Sequence, residues 1–425
     1  DKDPVTGIVR HLDDQCIGCK YCTMMCPYEV PQYSDRLGIV RKCDMCHQRL
    51  SVGEAPACVQ SCPNEAIRIT VVPTESKTFA ESDAVVPSAP SSRITRPTTN
   101  YVRETELDPS NTTPQDVNVD EVAESHWPLA WMLVATQISV GMLVAEALVA
   151  AVMSLLGSSL PPTTTLLTAL VAFVIGNAGL GIAPLHLGQP LRMWRVFLGL
   201  KTSWLSREAV VLGKYMGALS LAIGLYAMPV LREAGWLPGF LDFEIPAWAA
   251  RVLLITSLPL GIAGLYSSAM IYIATQRQLW RSGRTLPRFF GTAAFGGALA
   301  TAVALACVGA TVPAAILSLV AAGIGFWKMR HERGVYGTNP FQGDVYDERS
   351  RKLIDGRLKT SRLARFRLGD AATILAAVAG VLGSFSPSIL LVASSLACVL
   401  LLAGEALERL LYFQSVVYDR MPRTL

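Results

Sequence analysis

Charged residues are scarce in this chain of 425 residues. Asp, Glu, Lys and Arg together make up 16% of it, whereas about 25% is usual for soluble domains. The shortage is concentrated in residues 127–425, which contain long apolar runs. The net charge of +4 is small and gives no reason to expect nucleic acid as a partner. The composition therefore predicts that the larger, C-terminal part lies in a membrane.

Cysteine is nearly confined to one stretch. Eight of the 10 cysteines lie between positions 16 and 62. The first four have the spacing C-x2-C-x2-C-x3-C-P, the bacterial ferredoxin pattern for a 4Fe-4S cluster. The second four have the spacing C-x2-C-x11-C-x3-C-P. We expect two 4Fe-4S clusters, with these iron ligands: Cys16, Cys19, Cys22, Cys26, Cys43, Cys46, Cys58 and Cys62.

Two other metal centres could use some of these cysteines. Two zinc ions with four thiolates each would also use paired C-x2-C motifs, but zinc does not require the first spacing. The segment Cys43-Asp44-Met45-Cys46-His47 reads C-x-x-C-H, which can attach a c-type haem. A haem there would leave Cys58 and Cys62 with half a ligand set. We therefore favour the clusters, with His47 as a surface residue beside one of them.

Three regions follow from these patterns. Residues 1–75 are predicted to form an α+β ferredoxin-like iron–sulfur domain with short strands near Ile8-Val9, Ile39-Val40 and Ile67–Ile69. Such a domain has little core and would depend on its clusters to fold. Residues 76–126 are rich in Pro, Ser and Thr and are predicted to be an extended linker. Residues 127–425 are predicted to form an all-α transmembrane bundle of eight helices.

Eight apolar segments support this bundle, since a span needs about 20 apolar residues. They cover approximately 128–156, 163–185, 208–230, 247–274, 289–308, 312–328, 371–386 and 388–408. Prolines at 313 and 387 favour two short-turn helical hairpins over longer helices. Five glycines in the apolar part suit close helix packing in lipid: Gly176, Gly179, Gly181, Gly296 and Gly297.

The loops between the segments differ in charge. Residues 186–207 and 277–288 each carry four Lys or Arg and no acid, and residues 328–370 carry eleven Lys or Arg against six Asp or Glu. The loops at the opposite ends are uncharged or acidic. With eight spans, the basic loops lie on the same side as residues 1–75. The positive-inside rule then predicts a multi-pass protein of the prokaryotic inner (cytoplasmic) membrane, with its iron–sulfur domain in the cytoplasm.

The basic loop 186–207 also contains a candidate quinol site. A quinol gives up two protons with its two electrons, so its site needs proton acceptors at the membrane boundary. His186 suits this role because histidine titrates near neutral pH, and Glu208 can take the second proton. The structural alternative is a belt of Trp and Arg that anchors helix ends at the interface.

Other polar residues in the apolar part have a less specific meaning. Asn177 and Lys214 are expected to face the interior of the bundle, and Glu146 to be capped near the far face. Two glutamates in the last segment, Glu405 and Glu408, are expected to pair with Arg409 or with the basic loops. The two remaining cysteines, Cys307 and Cys398, are expected to be inert packing residues.

Two groups of motifs carry a resemblance to a known family. Residues 1–75 resemble the iron–sulfur subunit of dimethyl-sulfoxide-reductase-type molybdoenzymes, on the segments C-I-G-C-K-Y-C-T-M-M-C-P-Y-E-V-P-Q-Y, K-C-D-M-C and C-V-Q-S-C-P-N-E-A-I. Residues 127–425 resemble the eight-helix membrane anchor of the same enzymes, on H-L-G-Q-P-L-R followed by T-S-W-L-S-R-E. The resemblance implies a fusion of two usually separate subunits, with His186 and Glu208 at the quinol site.

The resemblance also implies a function. Electrons would pass from the membrane quinone pool, as menaquinol or ubiquinol, through the clusters to a separate molybdopterin-containing catalytic subunit that reduces an oxide-type or oxyanion substrate. Two alternatives stay open: a membrane anchor and docking module without its own quinol site, and electron flow from substrate to quinone. Cluster potentials span about −700 to +450 mV, so the ligands do not set the direction.

The sequence departs from the family in one respect. The family's iron–sulfur subunits carry four cysteine motifs, and this chain carries the last two. We expect further residues upstream, with two more motifs, because the sequence starts at Asp1 without methionine. In the family, each motif shares clusters with an upstream one. If the two motifs pair with each other instead, Cys16, Cys19 and Cys22 would join Cys62, and the other four would form the second set.

Overall fold

The computed structural model describes residues 1–26, 28–70, 86, 89, 91–92, 98–102, 120–236, 247–336 and 345–417. They fall into two units. The first is built on Asp1–Glu121 and Leu187–Arg195, and the second on Val122–His186 and Val196–Val417. Most of the predicted linker, 76–126, lies outside the described residues, as do parts of the loops near 237–246 and 337–344.

The first unit has little regular structure. Its elements are a two-stranded antiparallel sheet and three short helices: β1 (Gln32–Ser34), β2 (Ile39–Arg41), α1 (Tyr21–Met25), α2 (His47–Leu50) and α3 (Ala57–Gln60). In the register of the sheet, Tyr33 lies opposite Val40. Among its described residues, the buried hydrophobic side chains are Met24, Ile39 and Val40. So small a core cannot offset the entropy of ordering this unit, which makes bound metal the expected source of stability.

The structure contains one of the three strand regions expected from the sequence. The strand at Ile39 and Val40 is present, but Val9 forms only an isolated bridge with Lys2. Ile67 and Ile69 lie outside any strand in the described residues 61–70, so the prediction there is wrong. The physical reason is local: the backbone after Cys62 turns around its sulfur, and the Ala66 N–H points at that sulfur instead of a neighbouring strand.

The second unit is helical. Eight long helices form it: α4 (Trp127–Leu155), α5 (Pro162–Ile182), α6 (Trp204–Glu233), α7 (Ala247–Ile273), α8 (Ser282–Cys307), α9 (Thr311–Tyr336), α11 (Lys359–Leu382) and α12 (Pro387–Gln414). The shorter helix α10 (Val345–Asp355) precedes α11. Three 3-10 segments connect the elements: Ala183–His186, Pro190–Gly199 and Gln278–Trp280. The turns between α8 and α9 and between α11 and α12 are short, as the prolines predicted.

Within the described residues, seven of these helices are long and apolar enough to cross a membrane. The exception is α11, although the sequence predicted a span at 371–386. Its first twelve positions, 359–370, contain five charged residues, which leaves residues 371–382 as the apolar part. Twelve residues are fewer than the ~20 that a single span needs. The helix still packs along its whole hairpin partner α12 and against α9.

Small residues set the spacing of the bundle. Helix α4 packs against α5 and α8, and α8 packs against α9. A Cβ on Gly297 of α8 would overlap the backbone of Gly141 in α4, so these two helices touch backbone to backbone. In lipid the hydrophobic effect does not drive helices together, so van der Waals contacts at this close approach supply the packing energy.

Three predictions about the bundle interior fail. Nothing lies within 4 Å of a Cβ added to Gly181, so this glycine does not serve close packing. Asn177 and Lys214 are on the exposed face of their helices. The Asn177 amide donates to the Phe173 carbonyl of its own helix at 2.9 Å and also contacts Met216 Sδ of α6 at 3.5 Å. Glu146, in contrast, is buried and accepts from Thr165 at 2.7 Å and Arg251 at 2.8 Å.

Candidate functional site

The loop of the first cysteine motif is tightly curled. Gly18 has φ +72° and Lys20 has φ 57°, both in the left-handed region, and α1 begins directly afterwards. Burial raises the pKa of the Cys19 thiol, and charge on Cys16 raises it further. Partial burial, then the charges of Cys19 and Cys16, raises the pKa of Cys22 to about 11. Bound metal would deprotonate all three thiols.

The second cysteine set is surrounded by backbone donors. The Met45 N–H donates to Cys43 Sγ at 3.4 Å, and the Ala66 N–H donates to Cys62 Sγ at 3.2 Å. Backbone N–H groups, Ala66 first, lower the pKa of Cys62, because a hydrogen bond to the charged form favours it. Such N–H···S contacts also tune the potential of a bound cluster. The chemistry of the donors therefore fits iron–sulfur ligation.

The structure does not gather these side chains around a single point. Within the described residues, no group of three or more His, Cys, Asp or Glu side chains is placed to hold one metal ion. In a 4Fe-4S cluster each thiolate binds a different iron, so the sulfurs of one ligand set lie farther apart than the ligands of a single metal ion. The assignment of the eight cysteines as ligands, and their pairing, stay predictions.

The histidine of the C-x-x-C-H segment already has a partner. His47 Nε2 lies 3.1 Å from Asp3 Oδ2, and the His47 side chain is 20% exposed. The N–H of Thr6, then His47 and the N–H of Val5, hold the pKa of Asp3 well below its usual range. The contact between His47 and Asp3 thus connects the second cysteine motif to the N-terminal turn.

Residues 187–195 belong to the first unit, where they hydrogen-bond to the loop of the first cysteine motif. The Gly188 N–H donates to Gly18 O at 3.3 Å, and the Gln189 N–H donates to Ile17 O at 3.1 Å. The Arg192 guanidinium donates to Asp13 O at 2.9 Å and to Cys16 O at 3.4 Å. Residues 187–195 therefore donate hydrogen bonds to backbone carbonyls on both sides of Cys16, a predicted iron ligand.

Three glycines make this contact possible. A Cβ on Gly18 would lie 2.7 Å from Gly188 N and 2.8 Å from Gly188 Cα. A Cβ on Gly188 would overlap the carbonyl of Gly38, which itself has φ +64°. The Gln189 amide adds a bond to Leu37 O at 2.8 Å. The H-L-G-Q-P-L-R segment is thus fixed against the cysteine loop by backbone contacts that tolerate no side chain.

The two predicted quinol-site residues lie in the second unit, at the ends of helices joined by residues 187–203. His186 ends the 3-10 segment after α5, is half-buried, and donates from Nδ1 to Ala183 O. Because a carbonyl only accepts, the proton of the neutral ring is on Nδ1, and Nε2 carries the lone pair. Glu208 lies in the second turn of α6, is 4% exposed, and accepts from Ser268 Oγ of α7.

Sequence reasoning missed two parts of this arrangement. Ser268 gave no signal, because a serine in an apolar segment usually bonds its own helix, as it also does here to Gly264 O at 3.2 Å. Gly18 was expected only to allow a tight loop, and its contact with Gly188 joins positions 170 residues apart. The Trp and Arg belt is partly present, since the Arg207 guanidinium lies 4.4 Å from the Trp204 ring.

Two family models match the chain. Residues 1–72 match the 4Fe-4S dicluster domain, and residues 122–323 match the DMSO reductase anchor subunit family. The two matches occur in the order that the sequence motifs predicted and confirm both parts of the resemblance.

Curated relatives match over shorter regions. The B subunit of anaerobic dimethyl sulfoxide reductase from Escherichia coli (strain K12) is 41% identical over 91 residues, which are 21% of this chain and 44% of that protein. The hydrogenase-2 operon protein HybA of Escherichia coli O157:H7 is 46% identical over 72 residues, 16% of this chain and 22% of its own. The formate dehydrogenase iron–sulfur subunit of Haemophilus influenzae is 45% identical over 75 residues, which are 18% of this chain and 24% of that protein.

This chain spans less than half the length of these three relatives. The matches and the apolar helices agree on the architecture. The chain combines in one polypeptide a region similar to the 4Fe-4S dicluster domain and a region similar to the DMSO reductase anchor subunit, and its apolar helices indicate a multi-pass membrane protein.

Proposed function

We propose that this chain is the membrane-bound electron-transfer arm of a molybdoenzyme complex. Quinol is oxidised at His186 and Glu208, and the electrons leave through clusters held by the eight cysteines of residues 16–62. A separate molybdopterin-containing subunit receives them and reduces an oxide-type or oxyanion substrate. The related B subunit of dimethyl sulfoxide reductase supports this assignment by its similarity to the iron–sulfur part.

The observation that carries the proposal is the contact between residues 187–195 and the first cysteine loop. This segment begins one residue after His186, and its Gly188 contacts Gly18, the residue before Cys19. Because His186 directly precedes this segment in the chain, we propose the Cys16–Cys22 loop as the entry point for electrons.

The proton chemistry follows from the two acceptors. Oxidation of a quinol releases two electrons and two protons and leaves a quinone. The Nε2 lone pair of His186 accepts one hydroxyl proton, while the Nδ1–H bond to Ala183 O holds the ring in that tautomer. The Glu208 carboxylate accepts the other and is oriented by Ser268.

The cysteines supply the electron path. When bound, the iron–sulfur clusters accept and pass on single electrons. The chain's own contribution is to hold the clusters near the quinol loop and to adjust their potential through the N–H donors at Cys43 and Cys62. We propose 1–75 as the cluster domain and 127–425 as the anchor, with the cluster domain on the cytoplasmic side of the inner membrane. The basic loops support this side.

Stopped-flow bleaching of the clusters by menaquinol tests the proposal in the purified complex. The variants His186→Gln and Glu208→Gln should slow bleaching by at least tenfold, because general acid–base groups contribute about 10²–10⁴-fold. Lys214→Gln, on the exposed face of the same helix as Glu208, is the matched control and should keep the wild-type rate.

Iron content and the visible spectrum should be unchanged in all three variants, which separates loss of the quinol site from loss of the clusters. Wild-type kinetics in both His186→Gln and Glu208→Gln would argue for an anchor and docking module that receives its electrons elsewhere.

A further inference from the structure

The interior of the helical unit contains a network of charged residues that the proposed quinol chemistry does not use. Four cations belong to it: Arg288 of α8, Lys328 of α9, Arg365 of α11 and Arg409 of α12. Three carboxylates accompany them, Glu332 of α9 with Glu405 and Glu408 of α12. Each of these side chains is at most 1% exposed. Ionisable groups buried in a membrane protein are functional candidates by default.

The network is continuous. Arg365 binds Glu332 at 2.9 Å and Glu405 at 2.8 Å. Lys328 bridges the same two carboxylates, at 3.0 Å from Glu405. Thr292 then donates to Glu405 at 2.6 Å and accepts from Arg409 at 3.0 Å.

A second half of the network surrounds Arg409. Glu408 accepts from both Arg288 and Arg409. Arg409 Nη2 also donates to Gln137 Oε1 of α4 at 2.7 Å and to Arg288 O at 3.2 Å. Arg288, Arg409 and Gln137 are therefore direct neighbours. The Arg288 guanidinium lies over the rings of Tyr412 and Tyr336, at 4.5 and 4.7 Å.

The charges do not balance. Four cations and three carboxylates leave one positive charge in the interior. Two further acids of the described helices already have cationic partners, since Asp370 pairs with Arg333 and Asp355 with Arg362. An uncompensated buried charge is strongly unfavourable.

The hydrogen bonds are unbalanced in the same sense. Both oxygens of each carboxylate accept at least one bond from a cation or from Thr292. On the donor side, five buried nitrogen atoms have no partner within the described part of the chain: Arg288 Nη1 and Nη2, Arg365 Nη1, Arg409 Nε and Gln137 Nε2. The missing group is therefore an acceptor with one negative charge. Water could accept these bonds but would leave the charge uncompensated.

We propose that this network binds one small monovalent anion of the size of chloride, with the unpaired N–H groups of Arg288, Arg409 and Gln137 as its ligands. The anion completes the charge and the hydrogen bonds at the point where α4, α8 and α12 meet. Gln137, Arg288 and Arg409 are each 0% exposed, so we expect an ion and not a lipid headgroup as the ligand.

Thermal unfolding of the complete complex in lipid nanodiscs tests this site. At constant ionic strength, replacing sodium gluconate by sodium chloride at about 100 times the dissociation constant should raise Tm by on the order of 5 °C. Bromide should replace chloride, and its anomalous signal in crystals should give one peak between Arg288 and Arg409. Equal Tm values in the two salts together with no bromide peak would overturn the proposal.

One substitution can supply the missing charge from the protein itself. Gln137→Glu is nearly isosteric and replaces the unpaired amide by a carboxylate oxygen. It should raise Tm in gluconate to the chloride value and abolish both the chloride effect and the bromide peak. Glu146→Gln, in the separate buried pair with Arg251, is the matched control and should keep the full chloride effect.

A lower Tm of Gln137→Glu in both salts would contradict the charge deficit. If this variant does not accumulate, the bromide peak in the wild-type protein decides the question alone.

Discussion

Replacing Gly188 by alanine should disconnect the quinol loop from the clusters without removing either. The new Cβ would overlap the Gly38 carbonyl oxygen and lie 2.5 Å from the Gly38 carbonyl carbon. Because both neighbours are backbone atoms, residues 187–195 must move away from the cysteine loop. Gly181→Ala, seven residues earlier in the sequence, is the matched control, since nothing lies within 4 Å of its added Cβ.

The structure sets the size of the effect. Overpacking of this kind costs about 1–3 kcal/mol. The displacement also weakens the bonds from Gly188 N to Gly18 O at 3.3 Å and from Gln189 N to Ile17 O at 3.1 Å, each worth about 1 kcal/mol. A combined loss of about 3–5 kcal/mol lowers the docking equilibrium of the segment roughly 100- to 5,000-fold.

Stopped-flow absorption gives the assay. With menaquinol as donor, cluster bleaching in Gly188→Ala should be at least tenfold slower than in the wild-type protein, while dithionite bleaches both equally and iron content is unchanged. The Gly181→Ala protein should behave as wild type. A Gly188→Ala protein with intact clusters and an unchanged quinol-driven rate would refute the role of this contact.

Two further predictions concern the iron–sulfur part and the bundle. Chelation of iron should abolish protease resistance of residues 1–70 and leave the helical circular dichroism intact, since that unit buries so few apolar side chains; a resistant iron-free domain would contradict this view of its stability. Gly297→Ala should destabilise the bundle by about 1–3 kcal/mol in denaturant titrations because its Cβ meets the α4 backbone, whereas Gly323→Ala, with nothing within 4 Å, should not; equal midpoints would show that the α4–α8 contact carries no packing energy.

Local patterns predicted most of the architecture. Helix positions follow from apolar length. The hairpin turns near Pro313 and Pro387 were placed correctly because proline is tolerated in the first turn of a helix, and both residues stand in the first turn of the helix that follows the turn. The expected pairing of Glu408 with Arg409 is confirmed. Glu405 pairs with Lys328 and Arg365, which both lie in the basic region 328–370, so its expected pairing with the basic loops is confirmed as well.

The errors have a common physical origin. Hydropathy alone placed a full span at 371–386, whereas α11 begins at Lys359 with a charged half that includes the buried Arg365. Lys214 was assigned to the interior because of its charge, yet the face of a helix is decided by its packing against α7 and α5. The contact between Gly18 and Gly188 had no sequence signal either, since glycines separated by 170 positions show no periodicity.

The central claim is that the quinol loop and the clusters are electrically connected, and anaerobic visible absorption tests it most directly. The complex is purified in lipid, and its iron–sulfur band is recorded before and after addition of a menaquinol analogue. The account predicts that the band bleaches with quinol and recovers when an oxidised substrate of the catalytic subunit is added. A brown protein that dithionite bleaches but quinol does not would contradict it.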